Sequence, residues 1–179
     1  MQELLTILYP EWEKDINLQE TPARIAKMYV NEVFRGLFDV MPKITVFDNI
    51  EKYNQMVVLQ GIQVKSMCSH HFMPFFGQAY IGYVPDKKVV GVSKLSRIVD
   101  HYARRPQLQE NLTAQIAKEL QNRLDPLGVI VVIKAQHLCM MMRGVQEPNS
   151  LMTTSQFSGV FEESATRTEF FNAIGVKNG

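Results

Sequence analysis

Cysteine and histidine are scarce in this chain of 179 residues, with two of the first and four of the second. Two cysteines cannot make the framework of a small disulfide-stapled fold, and a chain of this length can bury a core without one. Charge of one sign is also missing. Nineteen Lys and Arg against eighteen Asp and Glu leave a formal net charge of +1, which gives no basis for a broad nucleic-acid surface. Long hydrophobic runs are absent too. No apolar stretch approaches the ~20 residues that span a bilayer, and Met1-Gln2-Glu3-Leu4-Leu5 lacks the basic start and long apolar core of a signal peptide. Repeats and low-complexity tracts are lacking as well. What remains reads as one structural unit with 46% hydrophobic residues, expected in the cytoplasm, where thiols stay reduced.

Scarcity makes placement informative. Both cysteines and three of the four histidines fall in two short segments, Cys68-Ser69-His70-His71 and His137-Leu138-Cys139. Thiolate and neutral imidazole are the ligands a zinc ion prefers. Taken singly, Cys139 inside Leu138–Met142 is an ordinary core cysteine, and a lone histidine is more often structural. The joint clustering is what points to a metal. Cys68 and His71, a turn apart, can grip one ion from one side, and Cys139 can supply a third ligand. If the second segment is a strand, His137 shares a face with Cys139, because side chains alternate with a period of two. Three protein ligands with histidines to spare imply an open fourth position for water, the catalytic arrangement.

Periodicity sets the expected scaffold. Residues 1–8 form a short apolar helix ended by Pro10. Thr21-Pro22 starts another, with Thr21 as N-cap, an apolar face of Ile25, Met28, Tyr29 and Val33, and a stop at Gly36. Strands follow over Lys43–Phe47, Met56–Met67 and Gln78–Val84, the last ended by Pro85-Asp86. Ser93 caps a helix lined by Leu95, Ile98, Val99 and Tyr102; Pro106 ends it and opens a second with Leu108, Leu112, Ile116 and Leu120. Gly128–Met142 reads as one long strand, Ser150–Phe161 as another, and 164–174 as a closing helix. Two strands, two helices and two strands inside helical ends give an α+β fold with a mostly antiparallel sheet. Residues 1–40 are expected as an N-terminal helical segment and 41–179 as the catalytic unit.

A second constellation is cationic. Ser93, Lys94 and Arg97 share the first turn of one helix, a natural seat for phosphate, although a Lys/Arg pair on a helix is more often a solvated face. Arg143 follows the segment carrying Cys139. Gln109-Glu110 opens the next helix. A carboxylate there can accept two hydrogens from the N1 and N2 edge of a guanine, though a glutamate near a helix start is also what any helix favours.

These motifs together resemble the GTP cyclohydrolase I family. The likeness is carried by Cys68-Ser69-His70-His71, Gly91-Val92-Ser93-Lys94-Leu95-Ser96-Arg97-Ile98-Val99, Arg105-Pro106-Gln107-Leu108-Gln109-Glu110, His137-Leu138-Cys139-Met140 and Met142-Arg143-Gly144-Val145-Gln146. It extends to Thr21-Pro22-Ala23-Arg24-Ile25-Ala26-Lys27-Met28, so it covers roughly residues 20 to 174 in one order. The resemblance implies a tunnelling fold, an antiparallel sheet with two helices between its second and third core strands that closes into barrels by oligomerisation. It implies homodecamers with active sites at subunit junctions, GTP as substrate and Zn2+ as cofactor, with neither nucleic acid nor membrane as partner. It implies Cys68, His71 and Cys139 as zinc ligands and His70 and His137 in proton transfer. Gln109 and Glu110 would read guanine. Ser93, Lys94, Arg97 and Arg143 would surround the triphosphate, with Arg24 reaching in from a neighbouring subunit.

The implied activity is hydrolysis of GTP at C8 and rearrangement to 7,8-dihydroneopterin triphosphate plus formate. A variant stopping at a ring-opened intermediate, or a non-catalytic zinc- and GTP-binding homologue, are the alternatives. The chain departs from the family's usual Cys-Glu-His-His at Ser69, which is not a ligand position, and carries Asn111 where an arginine is usual.

Overall fold

Residues 128–135 read Gly-Val-Ile-Val-Val-Ile-Lys-Ala, and a strand with so little polar alternation must be covered on both faces. The computed structural model, which describes residues 1–175, is built around it. In chain order the elements are α1 (Gln2–Leu8), α2 (Thr21–Met28), β1 (Val46–Asp48), β2 (Val57–Cys68), β3 (Pro74–Val84), β4 (Lys88–Val90) and α3 (Val92–Ala103). Then come β5 (Pro106–Gln107), α4 (Gln109–Leu124), β6 (Gly128–His137), α5 (Leu138–Met141), β7 (Met152–Gly159) and α6 (Ser164–Ala173). The main sheet has the order β5-β2-β3-β6-β7. Its ladders are antiparallel except at β5, which runs parallel to β2 through Met67↔Pro106 and Cys68↔Gln107. Strands β1 and β4 make a separate two-stranded ladder.

Alternation along β6 feeds two cores. Val129, Val131, Ile133 and Ala135 pack with Leu95, Ile98 and Val99 of α3 and Leu112, Ile116 and Leu120 of α4. Ile130 and Val132 face the other way, onto Phe161, Phe170 and Ile174. Each such side chain contributes roughly 1.5–3 kcal/mol on burial, so β6 is pinned from both sides and its register fixed. The expected α+β order of two strands, two helices and two strands is present, with α3 and α4 between β3 and β6.

Several boundaries differ from expectation. Helix α2 stops at Met28 and continues as one π-helical turn over Tyr29–Val33, and Gly36 lies in a later 3-10 turn. Gly36 is there for close approach: its N–H donates to the Arg104 carbonyl, its own carbonyl accepts from Arg105 Nε, and a Cβ would run into the backbone of His101 and Arg104. Gly91, not Ser93, is the N-cap of α3, and Glu20, not Thr21, precedes α2. The strand at 43–47 is trimmed to Val46–Asp48, while the one expected from Gln78 already begins at Pro74. Pro106-Gln107 is spent on β5, so α4 opens three residues later than Pro106.

The largest difference is at the end of β6. The strand stops at His137 and the chain turns into the short helix α5, so His137 and Cys139 do not share a strand face. Hydrophobicity continues through Leu138–Met142, which is why the sequence alone reads on. The pairing strand β3, however, runs out opposite His137, at Phe75.

Candidate metal centre and nucleotide site

Cys68 is the last residue of β2 and is buried, its N–H donating to the Met73 carbonyl at 2.9 Å. The chain then turns through Ser69–Phe72. Phe72 N–H closes the turn on the Cys68 carbonyl at 2.9 Å, and Ser69 N–H donates to the carbonyl of Gln107 in the neighbouring β5 at 2.9 Å. Phe72 sits at φ +50, a conformation costly for a bulky residue. Its ring is held against Phe34 (centroids 5.1 Å) and Tyr29 (6.2 Å), so the N-terminal segment buttresses the turn.

This turn presents His70 and His71 at the surface. Cys139, half-buried in α5, arrives from the other side of the sheet end. One ligand atom each from Cys68, His71 and Cys139 lies within 4.8 Å of the others. Donors around one tetrahedral zinc stand about 3.8 Å apart, so a small contraction brings them to bonding geometry. Burial, then the Cys68 thiol beside it, pushes the Cys139 pKa up. Two thiolates this close need a cation between them. Soft sulfur and imidazole donors suit zinc, and three of them leave a fourth position open. Arg143 lies beside the corner, its Nη1 3.0 Å from His71 Nε2.

His137 is built differently. At the end of β6 it is 9% exposed and stacks on Phe75 of β3, with centroids 4.6 Å apart and planes 10° apart. Its Nε2 is 2.8 Å from Gln109 Oε1 at the start of α4. Burial lowers its pKa, with the Glu110 carboxylate acting weakly in the opposite sense, so the ring is neutral near pH 7. Gln109 is 1% exposed and Glu110 exposed.

The phosphate-binding candidates are elsewhere. Helix α3 begins beyond the Val84 end of the sheet and returns to the Cys68 end only at Ala103. Its twelve residues span about 18 Å, so Ser93 and Lys94 lie at the opposite end from the cysteines and Arg97 about midway. Arg97 lines a polar cavity of about 360 Å³ with Arg35, Asp39, Asp100 and His101. Arg24 is exposed on α2 and donates to Asn17 O and Thr21 Oγ1. One chain therefore joins Cys68, His70, His71, Glu110, His137, Cys139 and Arg143 at one sheet end and leaves Ser93, Lys94, Arg97 and Arg24 outside. A groove of about 850 Å³ shares Phe72 and Phe75 with this corner but is lined by no Cys or His.

The family model described as GTP cyclohydrolase I matches residues 1–175. This chain belongs to the GTP cyclohydrolase I family. The GTP cyclohydrolase 1 of Porphyromonas gingivalis is 48% identical over 175 residues, covering 97% of this chain and 89% of that protein. The GTP cyclohydrolase 1 of Methylococcus capsulatus is 43% identical over 183 residues, covering 99% and 98%. Among solved structures, archaeosine synthase QueF-Like in the apo form aligns with a TM-score of 0.48 and 19% identity, over 58% of this chain and 93% of that one.

Within the family pattern, the exposed Ser69 holds its turn through the backbone, so the ligand geometry does not depend on its side chain. Sequence reasoning missed Phe75, the stacking partner of His137. It also missed Thr113 and Thr154, which surround Gln109. Thr113 lies four residues after Gln109, a helical spacing that marks it as a neighbour; nothing in the sequence marks Thr154.

Proposed function

We propose that this chain is a zinc-dependent GTP cyclohydrolase I that hydrolyses GTP at C8 and rearranges it to 7,8-dihydroneopterin triphosphate, releasing formate. One observation supports it most: Cys68, His71 and Cys139, from two segments far apart in sequence, meet within 4.8 Å beside a buried, oriented His137. A bound zinc ion would lower the pKa of water toward ~7, supplying a nucleophile at cellular pH.

The protein's own groups would do the rest. C8 of a neutral purine is a poor electrophile, and a proton delivered to N7 by His70 or His137 activates it. Water adds to C8, the ring opens to a formamide, and a second water releases formate. Opening and rearrangement of the ribose, then closure onto the exposed amines, are further proton transfers within reach of the same two imidazoles. Glu110, exposed at the start of α4, would accept from N1 and N2 of guanine. Arg143 would meet the triphosphate close to the ligand corner.

Ser93, Lys94, Arg97 and Arg24 would complete the site from neighbouring copies. Ser93 and Lys94 lie at the far end of α3 and Arg24 on the separate helix α2, which supports a site shared between subunits in a homodecamer. Residues 1–40 would then be a helical arm on a catalytic unit of 41–179. No helix among the described residues is long and apolar enough to cross a membrane, and we take the enzyme to act in the cytoplasm.

The test is incubation of zinc-loaded protein with GTP, assaying formate and the fluorescence of the oxidised pterin together. Both signals are expected. Formate alone would mean the chemistry stops after ring opening, and neither signal with zinc bound would favour a binding protein.

A further inference from the structure

The side chain of Gln109 is enclosed, and its hydrogen bonds can be assigned one by one. Thr113 Oγ1 donates to the Gln109 carbonyl at 2.8 Å, which uses its single proton. Thr113 and Thr154 hydroxyls are 2.7 Å apart, so Thr154 must be the donor of that pair. Thr154 Oγ1 then offers only a lone pair to Gln109 Nε2, 3.1 Å away. The carbonyls of Ile133 (3.0 Å) and Met152 (3.1 Å) also face Nε2. Three acceptors surround one NH2 group. A flipped amide would set its oxygen against all three, so the orientation is forced. Gln109 Oε1 therefore faces His137 Nε2 at 2.8 Å and can only accept. His137 Nε2 therefore carries a hydrogen, and Nδ1 is the nitrogen left to hold a lone pair.

Phe75 stacks on the face of that ring with centroids 4.6 Å apart, which removes its freedom to tilt. No group among the described residues hydrogen-bonds Nδ1. No buried side-chain nitrogen or oxygen among them is left without a partner, so Nδ1 reaches open space.

We propose that Gln109 is a positioning residue: it fixes the orientation and tautomer of His137 so that Nδ1 is the nitrogen with a free lone pair. Its amide then has no hydrogen to spare for guanine, and base recognition falls to Glu110 and backbone groups. The proposal rests on the proton-transfer role read for His137 above. In that role, Nδ1 is the nitrogen that exchanges a proton with the substrate, while Nε2–H stays on Gln109.

The first arm of the test uses the zinc-loaded wild-type protein, labelled with 15N-histidine and observed by magic-angle-spinning NMR, which tolerates any oligomer size. The His137→Gln protein identifies the signals. The expected result is a single His137 tautomer with the proton on Nε2; a proton on Nδ1 overturns the proposal. The second arm is Gln109→Leu. We expect the single tautomer to be lost and kcat to fall about 10–100-fold, as for other partners that orient a working imidazole, with KM for GTP within about twofold.

A raised KM with unchanged kcat would mean that Gln109 reads the substrate, and it overturns the proposal. So does an unchanged kcat in a variant that has lost the tautomer. Should Gln109→Leu fail to fold, the wild-type spectrum still decides. Absence of formate and pterin from wild type would overturn the functional reading instead, and the spectrum would judge Gln109 independently.

Discussion

The two halves of the site are held in opposite ways. The turn carrying His70 and His71 is exposed and secured by main-chain bonds, Ser69 to Gln107 and Phe72 to Cys68, with the Phe72 ring wedged against Phe34. His137 is buried and secured by side chains, with Gln109 on its edge and Phe75 on its face. A backbone-held turn tolerates change at positions that are not ligands, because the bonds survive substitution. A side-chain network tolerates little, because every partner removed leaves another buried group unsatisfied. Ser69, the family's usual glutamate replaced, falls in the tolerant half. Gln109, Thr113 and Thr154 fall in the other.

Breaking the junction of the two halves should have the largest effect. Cys139→Ser removes a donor shared between them. We expect loss of zinc and a fall in turnover of about 10³-fold or more, since a catalytic metal supplies several kcal/mol. Metal analysis and the formate assay check this, with the fold followed by circular dichroism; full activity would sink the ligand assignment. Next comes Glu110→Ala, which removes charge-assisted hydrogen bonds of about 1.5–3 kcal/mol. GTP affinity by calorimetry should drop about 10–100-fold while zinc affinity holds, and equal GTP affinity would place guanine elsewhere.

Acid sharpens the contrast further. Burial lowers the pKa of His137; burial and then Arg105 lower that of His101, whose Nε2 lies 2.6 Å from Arg105 Nη2. A depressed imidazole pKa means the unfolded chain takes up protons first. Stability is therefore full above about pH 6.5, the ordinary histidine value, and declines as pH falls below it. Thermal melts from pH 7.5 to 5 should show a falling Tm, less steep in His101→Gln; an equal slope would remove His101 from the effect. The smallest change is expected in the tolerant half. Ser69→Glu should move stability by less than about 0.5 kcal/mol, as for an exposed position outside such networks, and a larger shift in a denaturant titration would mean that the side chain at 69 matters to the turn.

Legibility followed the same divide. The grouping of Cys68, His71 and Cys139 was readable because these residue types are rare in the chain and cluster at short spacing. The helices and strands of the core were readable from period. The end of β6 was not, because Leu138–Met142 continues its hydrophobicity, and only the length of β3 decides where pairing stops. Gln109 was readable as a polar residue of interest but not in its surroundings. Its acceptors Ile133, Met152 and Thr154 lie on two later strands, up to 45 residues away.

By itself, then, the sequence determined the donor set, the α+β order and the family, because each depends on residue identity and local period. Tertiary structure alone decided three things. Cys68, His71 and Cys139 meet at one sheet end, while Ser93 and Lys94 of α3 are left at the other. Cys139 is carried off the strand face it was expected to share with His137 and into α5. His137 Nε2 meets Gln109 Oε1 at 2.8 Å. All three depend on which strand edges pair and where pairing ends, and long-range contacts settle that; spacing along the chain does not.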